Sequence, residues 1–543
     1  MKEYLQILFN QASEKLPFLN EIPLFFNVPQ DEEHGDLSSN AAMLLTKILR
    51  KNPKQIAEEI ISNLKIDENI IPKIEIAGAG FINFYFSPKF VNKKIKAIIE
   101  NGDKFGFSNE FSGSNANVEF VSANPTGPLT VGHGRNAVLG DTLANLLEAI
   151  GYSVDREYYF NNAGRQMRVL GASVAARYLE KLNLPNDFKE DYYQGEYIKD
   201  IAQKIVDKYS DTFKDDIENE IFKNTAEKEI FDDIKSTLKR IGIEFNQFYN
   251  EDDLYKNGNI DSLIKFLEEK NLSYKKDGAV WLKFSELGQE VDKVIVKSAG
   301  EPTYRLPDIA YHKTKFDRGY DLIVDIFGSD HNATYTDVLA GIEALGYNKE
   351  KVKVIIHQFV TITQGGQVVK MSTRKANFIT LDELIDEVGK DVVRYFFIMR
   401  NYSSHMNFDL DIAKKQSDEN PVFYLKYAHA RIASILRLTQ DQQLKISLDH
   451  LDMLIKPIEQ KIIKHLHRYE EELRISAIHF EPHKLANYLE NLAALFHKFY
   501  TECRIIGSDK NLAEARIALI IAVKTVLKNG LTILSIEAPE SMY

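Results

Sequence analysis

The sequence predicts an α/β protein built on a parallel, doubly wound sheet, with a small α+β unit before it and an all-α bundle after it. Three observations carry this reading. Between residues 118 and 357, short apolar runs alternate with helix-spaced stretches, the pattern of strands joined by crossover helices. The first hundred or so residues mix helical spacing with a glycine-bracketed alternating run. From Ile412 to the end the spacing is almost wholly helical, with few prolines.

Taken in order, Tyr4, Ile7, Leu8 and Ala12 have the spacing of one helix face, and Asp36 in GDLSSNAAMLL stands where a cap is expected. Residues 73–86 (KIEIAGAGFINFYF) alternate like a sheet edge, and the Gly/Ser/Asn-rich stretch 102–117 reads as a boundary. A strand is expected at 118–121. The helix after it shows Leu139, Leu143, Leu146, Leu147 and Ile150 on one face and stops at Gly151, before a strand at 154–160. Residues 185–275 are long, charged and helix-like, as in an insertion, and strands resume at 322–327 and 352–357, followed by a hairpin over 361–370. The expected division is 1–108, 109–412 and 413–543.

Composition bounds the function. The chain has 543 residues, a prior for about three to four domains. At 44% hydrophobic and 27% charged it is ordinary for a protein with a real core. No apolar run approaches the roughly 20 residues of a membrane span, and no leader pattern is seen, so a cytoplasmic protein is expected, with no membrane partner. One cysteine, Cys503, leaves no internal disulfide and no Cys-rich zinc site. The net charge of −11 argues against DNA, but residues 421–543 hold 16 Lys and Arg against 14 Asp and Glu, and 7 of the 13 histidines. Such an end can touch a polyanion selectively.

Two motifs carry chemistry. In VEFVSANPTGPLTVGHGR (118–135), Pro125 and Pro128 stiffen a turn, while Gly127, Gly132 and Gly134 allow a ligand close to the backbone. The helix that follows aims free N–H groups at that turn, which suits a phosphate, and His133 stands ready to donate to it. Downstream, KMSTRKAN places Lys370, Arg374 and Lys375 between the Gly365-Gly366 hairpin and the capping box TLDE that begins at Thr380. A basic loop there can neutralise a leaving pyrophosphate. Either motif alone is an ordinary connection or surface; together in an α/β sheet they read as a nucleotide site.

The two motifs resemble the HIGH and KMSKS signatures of class I aminoacyl-tRNA synthetases, and the surrounding sequence is similar to the arginyl-tRNA synthetase family. The similarity runs through HGDLSSNAA, AGAGFINF, NNAGRQM, EPTYRLPDIAYH, FGSDH, NPVFYLKYAHARI and LTILSIEAPESM, nearly the whole chain. It implies a Rossmann-type catalytic domain, an N-terminal module at the tRNA elbow and a helical anticodon-binding end. The implied activity joins L-arginine to tRNA(Arg) through arginyl-adenylate, using ATP with Mg2+ and no resident cofactor or metal, in a monomer. It generally requires bound tRNA for arginine activation.

Residue by residue, the resemblance implies His133 and Lys370 as catalytic. It implies Pro125, Gly127, Thr130, Gly132, His133, Gly134, Lys370, Met371, Ser372 and Arg374 for ATP. Arginine is expected at Glu119, Ser122, Asn124, His133, Tyr304, Asp308, Asp330 and His331, and tRNA at Tyr424, Tyr427, His429 and Arg431. Thr130 departs from the family's first histidine and Thr373 from its second lysine. Those departures keep open a catalytically silent tRNA-binding relative; another class I synthetase would lack the Tyr304–Asp308 pair.

Overall fold

The computed structural model describes residues 1–29, 31–162, 164–329, 335–369 and 379–542. Its N-terminal part is a three-stranded antiparallel sheet, β1 (Leu37–Ser39), β2 (Lys73–Ala77) and β3 (Phe81–Tyr85), in the order β1-β3-β2. Helix Lys2–Ser13 packs Leu5, Leu8, Phe9 and Ala12 inward. Ile7, expected on that face, is exposed, because Leu5 and Phe9 complete the stripe instead. Asp36 caps no helix: its carboxylate accepts the N–H of Phe86 at 2.6 Å and pairs with Lys464 of the bundle.

The centre is a five-stranded, all-parallel sheet of order β11-β10-β4-β5-β6. Its strands are β4 (Asn115–Glu119), β5 (Ser153–Phe160), β6 (Gln247–Asn250), β10 (Leu322–Gly328) and β11 (Val352–His357). From β4 the chain builds outward through β5 and β6, then returns to the other side for β10 and β11. The order therefore reverses between β4 and β10, where open α/β sheets bind ligands beyond the strand ends. Two expectations change here. The first strand ends at Glu119, because Val121 and Ser122 take positive φ values of 67° and 41°. The stretch 185–275 is not wholly an insertion, since β6 within it is the sheet's edge strand.

A small antiparallel sheet of β7 (Ser273–Lys276), β8 (Ala279–Leu282) and β9 (Lys293–Val296) precedes helix Arg305–Asp317. A further sheet joins β12 (Val360–Gln364), β13 (Gln367–Val368) and β14 (Met406–Asp409) in the order β13-β12-β14. Helices Pro421–Asp441, Pro457–Leu466, Tyr469–Ile478, Pro482–Glu502 and Lys510–Ile533 form the C-terminal bundle. Among the described residues no helix is long and apolar enough to cross a membrane.

Candidate active site

Three acids stand side by side across the central strands: Asp325 pairs in register with Glu119, the last residue of β4, and Glu119 with Glu157. Adjacent like charges on one sheet face repel, so the face needs cations. Helix Arg305–Asp317 supplies them. Asp308, Tyr311, His312 and Lys315 follow the i, i+3, i+4, i+7 spacing that puts them on one side of a helix.

Lys315 is fully buried, with Nζ 2.6 Å from Glu119 Oε2 and 2.6 Å from Asp325 Oδ1. His312 Nε2 lies 2.9 Å from the other Asp325 oxygen. Arg318, at the helix end, donates to both Glu157 oxygens, and the Tyr311 hydroxyl donates to Glu157 as well. Burial alone raises a carboxyl's pKa, but Lys315 and His312 more than offset it and hold Asp325 well below the ordinary range. Burial likewise pulls His312 down, and Asp325 more than reverses that.

Asp308 has no such partner among the described residues. It sits at the start of the helix, and burial, reinforced by Glu119 and Glu251, pushes its carboxyl up to about 7. It lines a cavity of about 430 Å3 together with Glu119, Ser122, Asn124, Tyr304 and Glu251. Tyr304, 57% exposed, is half out of this cavity at the helix cap. Ser122 donates to Glu119 Oε1 at 2.9 Å and accepts the N–H of Tyr159 at 3.1 Å. The left-handed turn at Val121 and Ser122 costs about 1–3 kcal/mol per residue. The Asn136 side chain helps hold it, accepting the Val121 N–H at 2.6 Å.

The phosphate-type turn lies next to this cavity in sequence. Helix Val131–Ala149 starts at Thr130, whose hydroxyl accepts the His133 N–H at 3.5 Å. His133 Nδ1 accepts the Thr130 N–H at 3.2 Å, so in the neutral ring the hydrogen sits on Nε2 and makes that atom a donor. Fully buried Arg135 donates to the carbonyls of Gln358, Asn401 and Ser404, tying the helix start to the approaches of β12 and β14. On the other side, the Leu381 N–H donates to the Leu129 carbonyl at 2.8 Å. Helix Leu381–Val388 opens on the expected capping box of Thr380 and Glu383.

The glycines divide by role. A Cβ on Gly134 would lie 2.6 Å from Leu381 Cδ1, and one on Gly127 2.9 Å from the Tyr197 hydroxyl. At these two positions the missing Cβ also makes room for neighbouring side chains. Gly132 is exposed and a Cβ there meets nothing closer than Thr130 Oγ1 at 3.7 Å.

The structure thus brings Glu119, Ser122, Asn124, Tyr304 and Asp308 together. His133 does not line the cavity they form. Lys370, Met371, Ser372 and Arg374, and likewise Asp330 and His331, lie outside the described residues. Lys315, Asp325 and Glu251 were missed in the sequence; the spacing 308-311-312-315 and the lone acids in apolar strands were the available signals. A larger cavity of about 890 Å3 lies between the N-terminal sheet and the bundle and holds none of the expected site residues.

In the bundle, Arg431 stacks over Tyr427 at 5.0 Å and over Tyr500 at 5.2 Å, and Tyr424 packs on His497 at 4.4 Å. His429 is a correction. It is fully buried, with Nδ1 2.8 Å from the Pro539 carbonyl, and so anchors the C-terminal segment in place of meeting a base.

Comparison with known proteins shows the family. Residues 94–407, more than half the chain, match the family model "tRNA synthetases class I (R), catalytic domain", so the fold is that of a class I tRNA synthetase. Residues 3–86 match the arginyl tRNA synthetase N-terminal domain and 425–542 the DALR anticodon binding domain. The chain belongs to the arginyl-tRNA synthetase family. An arginine–tRNA ligase of Desulfotalea psychrophila is 50% identical over 518 residues, covering 95% of this chain and 94% of the relative. One from Pelodictyon phaeoclathratiforme is 46% identical with both chains fully covered. The solved arginyl-tRNA synthetase of Thermus thermophilus is similar in fold, with a TM-score of 0.80 at 21% identity and full coverage of both chains.

Proposed function

We propose that this chain activates L-arginine with MgATP and transfers it to the 3'-terminal ribose of tRNA(Arg). In the first step an arginine carboxylate oxygen attacks the α-phosphorus, forming arginyl-adenylate and releasing diphosphate. In the second, a ribose hydroxyl attacks the activated carbonyl and AMP leaves. The observation that carries the reading is Asp308: an acid without a cationic partner among the described residues, beside Glu119, in a cavity at the switch point of a parallel sheet. A guanidinium is the planar, five-donor cation that two carboxylates and a tyrosine hydroxyl can bracket.

In this reading Asp308, Glu119 and Tyr304 receive the guanidinium, while Ser122 and Asn124 line the approach. His133, with Nε2–H as donor, meets charge building on phosphate oxygens, and the exposed Gly132 backbone lets the nucleotide close in. Mg2+ arrives with ATP and neutralises its phosphates. Lys370, Met371, Ser372 and Arg374 serve the same nucleotide, and Asp330 and His331 the amino acid, on the strength of the family motif. Tyr424, Tyr427 and Arg431 form the tRNA-facing stack. We place the protein in the cytoplasm as a monomer, divided at about 108 and 412.

The test is aminoacylation of total tRNA with each standard amino acid in turn. Arginine alone should charge. Charging of another amino acid, or tRNA binding with no adenylate formed, would overturn the reading.

A further inference from the structure

Lys315 lies behind the cavity and does not line it, yet it is the one cation bonded to Glu119 among the described residues. Its ammonium divides the neighbouring carboxylates. Glu119 Oε2 and Asp325 Oδ1 are each spent on Nζ at 2.6 Å, and the Tyr311 ring closes a third side at 4.5 Å. Glu119 Oε1 is left to Ser122, which needs only one of that oxygen's lone pairs. Glu119 is 3% exposed and stands in register with Asp325 and Glu157.

We propose that Lys315 is a positioning residue for amino-acid selection: it holds Glu119 turned so that one oxygen, with Asp308, meets the guanidinium. This rests on the arginine reading of the cavity. The ammonium occupies the place a point charge prefers, between Glu119 and Asp325. Among the acceptors that remain, Asp308 and Glu119 Oε1 suit a fork of donors better than a second ammonium.

A double-mutant cycle tests it in the full chain, with aminoacylation rates measured against arginine and against ATP. K315M should raise the arginine KM about tenfold to hundredfold and leave the ATP KM unchanged. In an E119Q background the same change should move the arginine KM by less than about threefold, because Lys315 acts through Glu119. Equal penalties in the two backgrounds, or an ATP KM rising in step, would overturn the proposal. If K315M does not fold, K315M/E119Q against E119Q carries the comparison: matching arginine KM values support the role, and a further tenfold loss overturns it. If neither folds, K315R, which keeps the charge, should hold the arginine KM within a few-fold, and a loss as large as that of E119Q overturns the role. An arginine KM untouched by both E119Q and D308N would remove the cavity assignment itself. A KM raised by both but additive with K315M would remove the Lys315 role alone.

Discussion

Replacing Asp308 with asparagine should weaken the enzyme and stabilise the fold at once, and the size of both effects can be worked from one side chain. Burial, with Glu119 and Glu251 nearby, lifts the Asp308 carboxyl from 3.8 to about 7. Folding therefore favours the protonated acid. The stability that protonation gives is full below about pH 4 and is lost as pH rises through about 7. At about 1.36 kcal/mol for each tenfold change in acidity, the loss above pH 7 is at most about 4 kcal/mol. The amide of D308N stays neutral throughout and escapes it, so at pH 8 the variant should unfold at higher urea than the wild type, while near pH 4 the two should coincide.

Arginine reverses the sign. On the proposed binding mode its guanidinium supplies the missing counter-charge and drives the proton off, so the wild-type kcat/KM for arginine should climb about tenfold per pH unit up to about 7 and then level. His312, raised through its pairing with Asp325, titrates in both proteins and does not make the difference. In D308N the arginine kcat/KM should fall by about 3–5 kcal/mol at pH 8, the cost of leaving a buried charge without its partner, and the rise with pH should flatten. The assays are urea unfolding at pH 4 and 8 and arginine-dependent aminoacylation from pH 6 to 8. Wild-type arginine kinetics, or a variant less stable than wild type at pH 8, would refute the reasoning and turn attention to Glu119.

Other expectations are shorter. His133→Ala should slow turnover on the order of 10²–10³ with the arginine KM little changed, and lose about 0.5–2 kcal/mol with the helix cap it completes; near-normal turnover would sink its phosphate role. Tyr427→Ala and Arg431→Ala should raise the tRNA KM without touching the arginine KM, whereas His429→Ala should show in thermal unfolding, as loss of the Pro539 contact; unchanged tRNA kinetics in both surface variants would move the anticodon contacts elsewhere. Gly134→Ala should cost about 1–3 kcal/mol by overpacking Leu381, read as a lower unfolding midpoint. ATP–pyrophosphate exchange should be weak until tRNA is added, and robust exchange without it would contradict the requirement.

The order of elements was legible in the sequence because periodicity and punctuation are local. The parallel sheet, the Thr380 capping box and the helix that opens at the Gly-His-Gly turn each announce themselves within a few residues. The candidate pair Tyr304 and Asp308 was legible only through the resemblance, since four-residue spacing is common on any helix. What the sequence could not carry was register and burial. Nothing local says that Glu119, Glu157 and Asp325, which lie up to about 200 positions apart, share one row, nor that Lys315 and Arg318 come down on it. Nor could it tell that Gly134 packs against Leu381, that Val121 and Ser122 turn left-handed where a longer strand was expected, or that His429 faces the core. Side-chain type and spacing determined which groups could do chemistry here. Tertiary packing decided which carboxylates were neutralised internally and left Asp308 without a bonded cation among the described residues, because a carboxyl's charge depends on the solvent and the cations that the folded chain places around it.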